Sequence, residues 1–228
     1  MKENTIKIDV ISDVACPWCY VGKRRLEAAL KEWKGAPVEV VWHPYQLDPT
    51  MIAEGMNRDT YLTNKFGSIQ NVQEMTDRLT EVGKTVGIDF DFGDNWLAVN
   101  TLSLHQLLNV ARSEGIGIQM KERFLAAYFE ETQHLNKPET LYNIASSFGW
   151  SSEKVDSIIS DEKIAEAVKA EISHYQQRGV SGVPFFVIND QYGISGAQPS
   201  EVFLEAFQSV SPIEVTSNES CDTSTGEC

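Results

Sequence analysis

Residues 16–19 read Cys-Pro-Trp-Cys and stand between an apolar run, Ile6 to Ile11, and a helix-like stretch, Lys23 to Trp33. A Cys-x-x-Cys pair at a strand-to-helix junction is typical of a redox site, whereas the same pair in a loop more often binds zinc. The placement of these four residues therefore predicts both the start of an α/β unit and thiol chemistry at its first turn.

The two cysteines are predicted to have different roles. At the first turn of a helix, unpaired N–H groups and the positive end of the helix dipole stabilise an anion, so Cys16 is placed to react as a thiolate. Pro17 has no N–H and suits the first helical position, so we expect the helix to begin there. Cys19 lies about one turn further on and can attack a mixed disulfide formed by Cys16. Trp18 stands inside the pair, where it influences thiol acidity and can contact a substrate.

Charge and termini narrow the class of protein. The formal net charge is -14 and the pI is near 4.7, which argues against nucleic acid or an anionic membrane as a partner. No apolar run approaches the length of a membrane span, and the N-terminus lacks the features of a secretion signal, so we expect a cytoplasmic protein. Stable disulfides are unusual there, so four cysteines in two close pairs indicate catalysis or metal binding.

The chain divides into segments of different character. Strands are predicted at Ile6 to Ile11, Val38 to Trp42, Pro184 to Ile188 and Tyr192 to Ser195. The first two strands flank a helix, which suggests a parallel βαβ unit. The segment between them and the later strands is predicted to be helical throughout. We therefore predict an α/β domain from residues 1–48 and 178–212, an inserted helical domain at 49–177, and a disordered acidic tail at 213–228.

Apolar residues in the insertion recur at steps of three and four, which predicts six helices. The first two apolar faces are Val72, Met75, Leu79, Val82 and Val86, followed by Leu97, Thr101, Leu104, Leu108 and Ala111. Such stripes usually form a core, although aromatic members such as Trp96, Tyr128 and Phe129 could also line a groove. A last helix is predicted from Pro199 to Val210.

A second active-site element is expected in the glycine-rich stretch Gly179 to Ile188. Pro184 directly precedes an apolar strand there, which is the position that a cis-proline facing the Cys pair would occupy. Cis peptide bonds are almost confined to bonds before proline, so Val183-Pro184 is the candidate.

These features together resemble the DsbA-like thiol–disulfide oxidoreductases, and within them the cytoplasmic FrnE-type branch. The similar segments span nearly the whole chain, and the first and last are the most specific. They are Asp13 to Gly22 (DVACPWCYVG), Trp42 to Pro49 (WHPYQLDP), Asn100 to His105 (NTLSLH), Arg123 to Phe129 (RFLAAYF) and Gly179 to Pro199 (GVSGVPFFVINDQYGISGAQP).

The resemblance implies a thioredoxin fold with a helical insertion, and a disulfide oxidoreductase or isomerase that needs no organic cofactor. It assigns Cys16 as nucleophile, Cys19 as resolving thiol and Pro184 as the cis-proline. The expected partners are thiols and disulfides of proteins or peptides, with glutathione or another cytosolic reductant as a further partner. Val183 would present its backbone to an extended substrate. Asn100 and His105 would face the substrate groove from the helical domain.

The remaining cysteines leave two hypotheses open. FrnE-type proteins can carry a C-terminal cysteine pair, here Cys221 and Cys228, although the six residues between them exceed the usual spacing. One hypothesis is a redox relay, because about sixteen flexible residues after Pro212 span roughly 20 Å and can reach the active site. The other is a zinc site built from all four cysteines.

A rival enzyme class shares the expected architecture. The 2-hydroxychromene-2-carboxylate isomerases and kappa-type glutathione transferases resemble it, which makes a glutathione-dependent isomerase or transferase acting on a small aromatic ligand the alternative. Those proteins commonly have Ser where Cys16 stands, so the two cysteines favour disulfide chemistry. A non-catalytic chaperone or binding module would not require either cysteine.

Overall fold

The computed structural model describes residues 5–93 and 95–211, and it confirms the predicted thioredoxin-like α/β fold with inserted helices. The strands in this part of the chain are β1 (Ile6–Ser12), β2 (Val38–Pro44), β3 (Met56–Asn57), β4 (Leu97–Ala98), β5 (Phe185–Ile188) and β6 (Tyr192–Ser195). The helices are α1 (Pro17–Glu32), α2 (Arg58–Phe66), α3 (Ile69–Thr85), α4 (Leu102–Ser113), α5 (Gly117–Phe129), α6 (Pro138–Ser146), α7 (Ser152–Ile159), α8 (Glu162–Gln177) and α9 (Ser200–Val210).

The main sheet has the strand order β2-β1-β5-β6. Strands β1 and β2 are parallel, as the βαβ prediction required, and Ile6 pairs with Val38. Strand β5 runs antiparallel to β1, so it returns from the far end of the chain to the centre of the sheet. This pairing brings the turn before β5 to the same edge of the sheet as the end of β1, where the cysteine motif follows.

Helix α1 begins at Pro17, with Cys16 as its N-cap residue in an extended conformation. Its apolar side packs with α9 over the sheet, where Leu26, Phe186, Phe203 and Phe207 are almost completely buried. Full burial of a side chain of this size contributes about 1.5–3 kcal/mol relative to leaving it exposed. The packed layer therefore fixes the direction in which the first turn of α1 points.

The segment between β2 and β5 is not helical throughout, which corrects the prediction. Strands β3 and β4 form a two-stranded antiparallel sheet, with Met56 opposite Ala98. Leu97 therefore belongs to β4 and not to a helix face, since α4 begins only at Leu102. Helix α2 was not predicted, because only Arg58 of its residues is buried and it carries no apolar stripe.

A charged group connects the inserted helices to the main sheet. Glu171 of α8 accepts hydrogen bonds from both terminal nitrogens of Arg112 on α4, at 2.8 and 3.0 Å. It also lies 2.6 Å from His43 Nδ1 on β2, and His43 Nε2 lies 2.7 Å from Asp9 on β1. Burial opposes ionisation of Glu171, but its hydrogen bonds to His43 and Arg112 lower its pKa to about 2. The carboxylate therefore ties two helices to the sheet.

The structure does not test the predicted tail or the predicted division into domains. The predicted tail, with Cys221 and Cys228, lies outside the described residues. Among the helices of residues 5–93 and 95–211, none is both long enough and apolar enough to cross a membrane. The division into domains remains a prediction from sequence.

Candidate active site

Cys16 and the turn before β5 meet at one edge of the main sheet. The Cys16 thiol donates a hydrogen bond to the carbonyl oxygen of Val183, with a sulfur-to-oxygen distance of 3.4 Å. The Val183-Pro184 peptide bond is cis, as the sequence predicted. The structure therefore joins the two halves of the predicted site, although their assigned roles in catalysis remain predictions.

Close packing of α1 against the proline turn depends on a glycine. A Cβ atom added to Gly22 would lie 3.0 Å from Cγ of Pro184 and 3.2 Å from Cζ of Phe186. Both distances are shorter than ordinary van der Waals contacts. Gly22 thus allows the helix that carries the cysteines to approach Pro184.

The two cysteines differ in access. Both are free thiols; Cys16 retains 4% of its exposure, whereas Cys19 has none. Burial raises the pKa of Cys19 well above its usual value, and the neighbouring Cys16 sulfur raises it further. Cys16 is consequently the sulfur that borders the large cavity, and Cys19 is a protonated thiol one helical turn further along α1.

A cavity of about 550 Å³ lies in front of Cys16 and extends along the inserted helices. Cys16, Pro17, Trp18 and Val183 form its sheet-side wall. The opposite wall contains the aromatic side chains of Trp96, Tyr128 and Phe129, in agreement with their proposed place along a groove. Basic residues also line the cavity, namely Arg58, Lys65 and Arg78. The cavity next to Cys16 is therefore lined mainly by apolar side chains, with a few basic ones among them.

Asp13, which lines this cavity, and His105, which does not, form a buried pair. Oδ1 of Asp13 lies 3.2 Å from Nε2 of His105, and Oδ2 accepts the Leu47 N–H at 2.7 Å. Burial alone would raise the pKa of Asp13, but the hydrogen bond and charge of His105 and the Leu47 N–H lower it overall. Asp13 is therefore a carboxylate, held between the strand edge and α4.

Asn100 forms hydrogen bonds that connect the segment after β2 with the start of α4. Its amide nitrogen donates to the Met51 carbonyl at 2.8 Å, and its oxygen accepts from Gln46 at 3.1 Å and from the Leu102 N–H at 3.0 Å. Neither Asn100 nor His105 is among the residues that line the large cavity. Their predicted contact with substrate is untested, and their observed contacts position Asp13 and the start of α4.

Lys121 of α5 is 2% exposed and was not among the predicted site residues. Burial lowers its pKa to about 8, against the opposing influence of Cys19, Asp13 and Cys16. The sequence pattern could have indicated that Lys121 is buried, because it precedes Phe124, Leu125 and Tyr128 by three, four and seven positions. Those steps place a charged residue on the apolar face of the helix.

Metal ligands are not clustered in the described part of the chain. No group of three or more His, Cys, Asp or Glu residues there could hold a metal ion. The zinc hypothesis needs Cys221 and Cys228, which lie outside residues 5–93 and 95–211.

A helix-capping Cys-x-x-Cys pair beside a cis-proline on this sheet defines a thioredoxin-class dithiol site. Residues 7–208 match the model of the family described as the DSBA-like thioredoxin domain, and the chain therefore belongs to that family.

Individual relatives agree with this assignment. The chain is 33% identical to a probable DsbA oxidoreductase from Streptomyces coelicolor, with a TM-score of 0.83 over 95% of this chain and 96% of that one. It is 26% identical over 203 residues to the uncharacterized protein YwbO of Bacillus subtilis, covering 89% and 96% of the two chains. The cytosolic disulfide reductase DsbM of Pseudomonas aeruginosa, solved with GSH, shares the fold at 16% identity, with a TM-score of 0.62 over 90% and 100% of the two chains.

Proposed function

We propose that the protein is a cytoplasmic thiol–disulfide oxidoreductase that exchanges or isomerises disulfides in protein or peptide substrates. The observation that carries the proposal is the unequal access of the two sulfurs. Cys16 opens onto the large cavity beside Val183, and Cys19 is completely buried behind it. This asymmetry is what a nucleophile and a resolving thiol require.

In the reducing direction, the Cys16 thiolate attacks one sulfur of a substrate disulfide. A bond forms between Cys16 and that sulfur, and the other substrate sulfur leaves as a thiolate with the electron pair of the broken bond. Cys19 then loses its proton and attacks the Cys16 sulfur, which forms the Cys16–Cys19 disulfide and releases the second substrate thiolate. Two electrons have passed from the enzyme to the substrate, and the same steps in reverse oxidise a dithiol.

Substrate binding is proposed to use the backbone of the proline turn and the apolar cavity. An extended peptide can pair with the Val183 backbone, while side chains next to the disulfide pack on Trp18 and the facing aromatic wall. The chemistry requires no organic cofactor, because the dithiol itself holds the two electrons. The solved complex of the distant relative DsbM with GSH supports glutathione as a candidate reductant.

The alternative remains a glutathione-dependent isomerase or transferase. The size and apolar lining of the cavity favour it as the second candidate, because small-molecule sites have these properties. The test measures insulin disulfide reduction and oxidation of a dithiol peptide beside glutathione conjugation of a small aromatic electrophile. Exchange activity that is lost in Cys16→Ala supports the oxidoreductase; conjugation without exchange contradicts it.

A further inference from the structure

Lys121 is a buried lysine that forms no ion pair within 4 Å among the described residues. Lys23, which is equally buried, forms ion pairs with Glu27 at 2.5 Å and Glu122 at 2.6 Å. The Lys121 Nζ atom instead lies 5.0 Å from the centre of the Trp42 ring. Burying an unpaired charge costs free energy of folding, so a lysine at this position indicates that its positive charge has a function.

The contacts between α5 and α1 place the Lys121 charge near the cysteine pair. Lys121 is followed by Glu122, and Cys19 is followed by Tyr20, whose hydroxyl donates to Glu122 at 3.0 Å. Helix α5 therefore packs against α1 close to the cysteine pair. The thiols of Cys19 and Cys16 and the carboxylate of Asp13 all interact electrostatically with the Lys121 ammonium.

A second cavity, of about 250 Å³, shares no lining residue with the large cavity, and we call it the rear cavity. Lys121 and His105 line it together, and His105 contacts Asp13 from there. The other titratable groups around the cavity are Glu39 and His43 of β2, Arg112 of α4 and Glu171 of α8, and Lys23 approaches Lys121 from α1. The volume holds several water molecules, so protons can reach the buried cluster while substrate covers the front.

We propose that Lys121 is a positioning residue of the dithiol site: its positive charge stabilises the Cys16 thiolate, and the rear cavity lets the buried cluster exchange protons with solvent. This inference rests on the proposed function. When Cys19 attacks the mixed disulfide, its proton leaves through the rear cluster, the Cys16–Cys19 bond forms, and the electron pair departs with the substrate thiolate. The charge thus favours the reduced, thiolate-bearing form, which makes the enzyme disulfide more oxidising.

The test compares Lys121→Met, Lys121→Arg and the matched control Lys23→Met in the full chain. Iodoacetamide alkylation of Cys16 is followed against pH, and the reduction potential is measured in glutathione buffers. Lys121→Met is expected to slow alkylation at pH 6.5 about tenfold and to make the potential more negative. Lys121→Arg should restore the wild-type rate, and Lys23→Met should have a much smaller effect because that lysine is paired with two carboxylates. A wild-type rate and potential in Lys121→Met would overturn the inference.

A second measurement covers the case in which Lys121→Met fails to fold. The NMR titration of the Lys121 side chain in the wild-type protein should move to lower pH when Cys16 and Cys19 form their disulfide, because the thiolate charge is removed. An identical titration in the dithiol and disulfide forms would contradict the inference. The wild-type insulin assay separates the two proposals: an inactive wild type removes the proposed function, whereas an active wild type with an unshifted Lys121→Met removes only the role of Lys121.

Discussion

The sulfur of Cys16 and the carbonyl oxygen of Val183 lie 3.4 Å apart although 167 positions separate the two residues. Strand β5 brings them together by inserting between β1 and β6 at the centre of the sheet. The Cys16 thiol is thus held beside the turn that contains the cis-proline. We call this contact between the start of α1 and the Val183-Pro184 turn the junction.

Gly22→Ala should damage the junction. Its methyl group would press on Pro184 and Phe186, so we expect a loss of about 1–3 kcal/mol in the free energy of unfolding and slower insulin reduction. Gly182→Ala is the control, because an added Cβ there meets nothing within 4 Å. Urea unfolding curves check both variants. Equal stability of the two alanine variants would show that α1 does not need close contact with the proline turn.

Asp13 and His105 should be energetically coupled. His105→Leu leaves the Asp13 carboxylate buried without its counter-charge, which should cost about 3 kcal/mol in the free energy of unfolding. In the double variant Asp13→Asn/His105→Leu the buried charge is gone as well, so the loss should be smaller than the sum of the single losses by about 1–3 kcal/mol. A double-mutant cycle from urea unfolding measures this coupling, and strictly additive losses would speak against the pair.

Glu171 should make stability depend on pH. Its pKa falls from an ordinary 4.5 to about 2 on folding, so the carboxylate stabilises the protein above pH 4.5 and this stability is lost as the pH falls toward 2. Glu171→Gln should therefore lose roughly 2–3 kcal/mol at pH 7, and its difference from wild type should vanish near pH 2. Glu166→Gln on the same helix is the control, since its exposed side chain pairs only with Lys169. A deficit in Glu171→Gln that stays constant between pH 7 and pH 3 would refute the assignment.

The relay hypothesis for Cys221 and Cys228 predicts a change in redox behaviour when both are removed. Cys221→Ser/Cys228→Ser should alter the turnover of a disulfide substrate and the apparent potential of the active-site pair. Ser217→Ala/Ser224→Ala tests whether any change in the same segment has that effect. If the cysteine variant matches wild type in both measurements, the C-terminal pair does not exchange with Cys16 and Cys19.

The sequence allowed prediction of the features that depend on local chemistry. The helix start at Pro17 follows from the missing N–H of proline. The cis bond before Pro184 was predicted from its place before a strand together with the family resemblance, and not from local chemistry alone. The two-residue strands β3 and β4 escaped prediction because they are too short to show alternation.

Contacts between side chains of distant elements could not be predicted from the sequence. Glu171, Arg112 and His43 come from two helices and a strand, and no spacing in the sequence relates them. The position of His105 behind the groove has the same origin, because only the packing of α4 shows that it faces Asp13. Lys121 is the exception, since its place on an apolar helix face could have marked it.

The central claim is that Cys16 attacks the substrate and Cys19 resolves the intermediate. It is tested most directly by trapping the mixed disulfide in a Cys221→Ser/Cys228→Ser background, with Cys19→Ala compared against Cys16→Ala. After incubation with a disulfide-bonded peptide, mass spectrometry should find one peptide on Cys16 in Cys19→Ala and almost none on the buried Cys19 in Cys16→Ala. Equal labelling of the two variants, or no adduct on Cys16, would contradict the account.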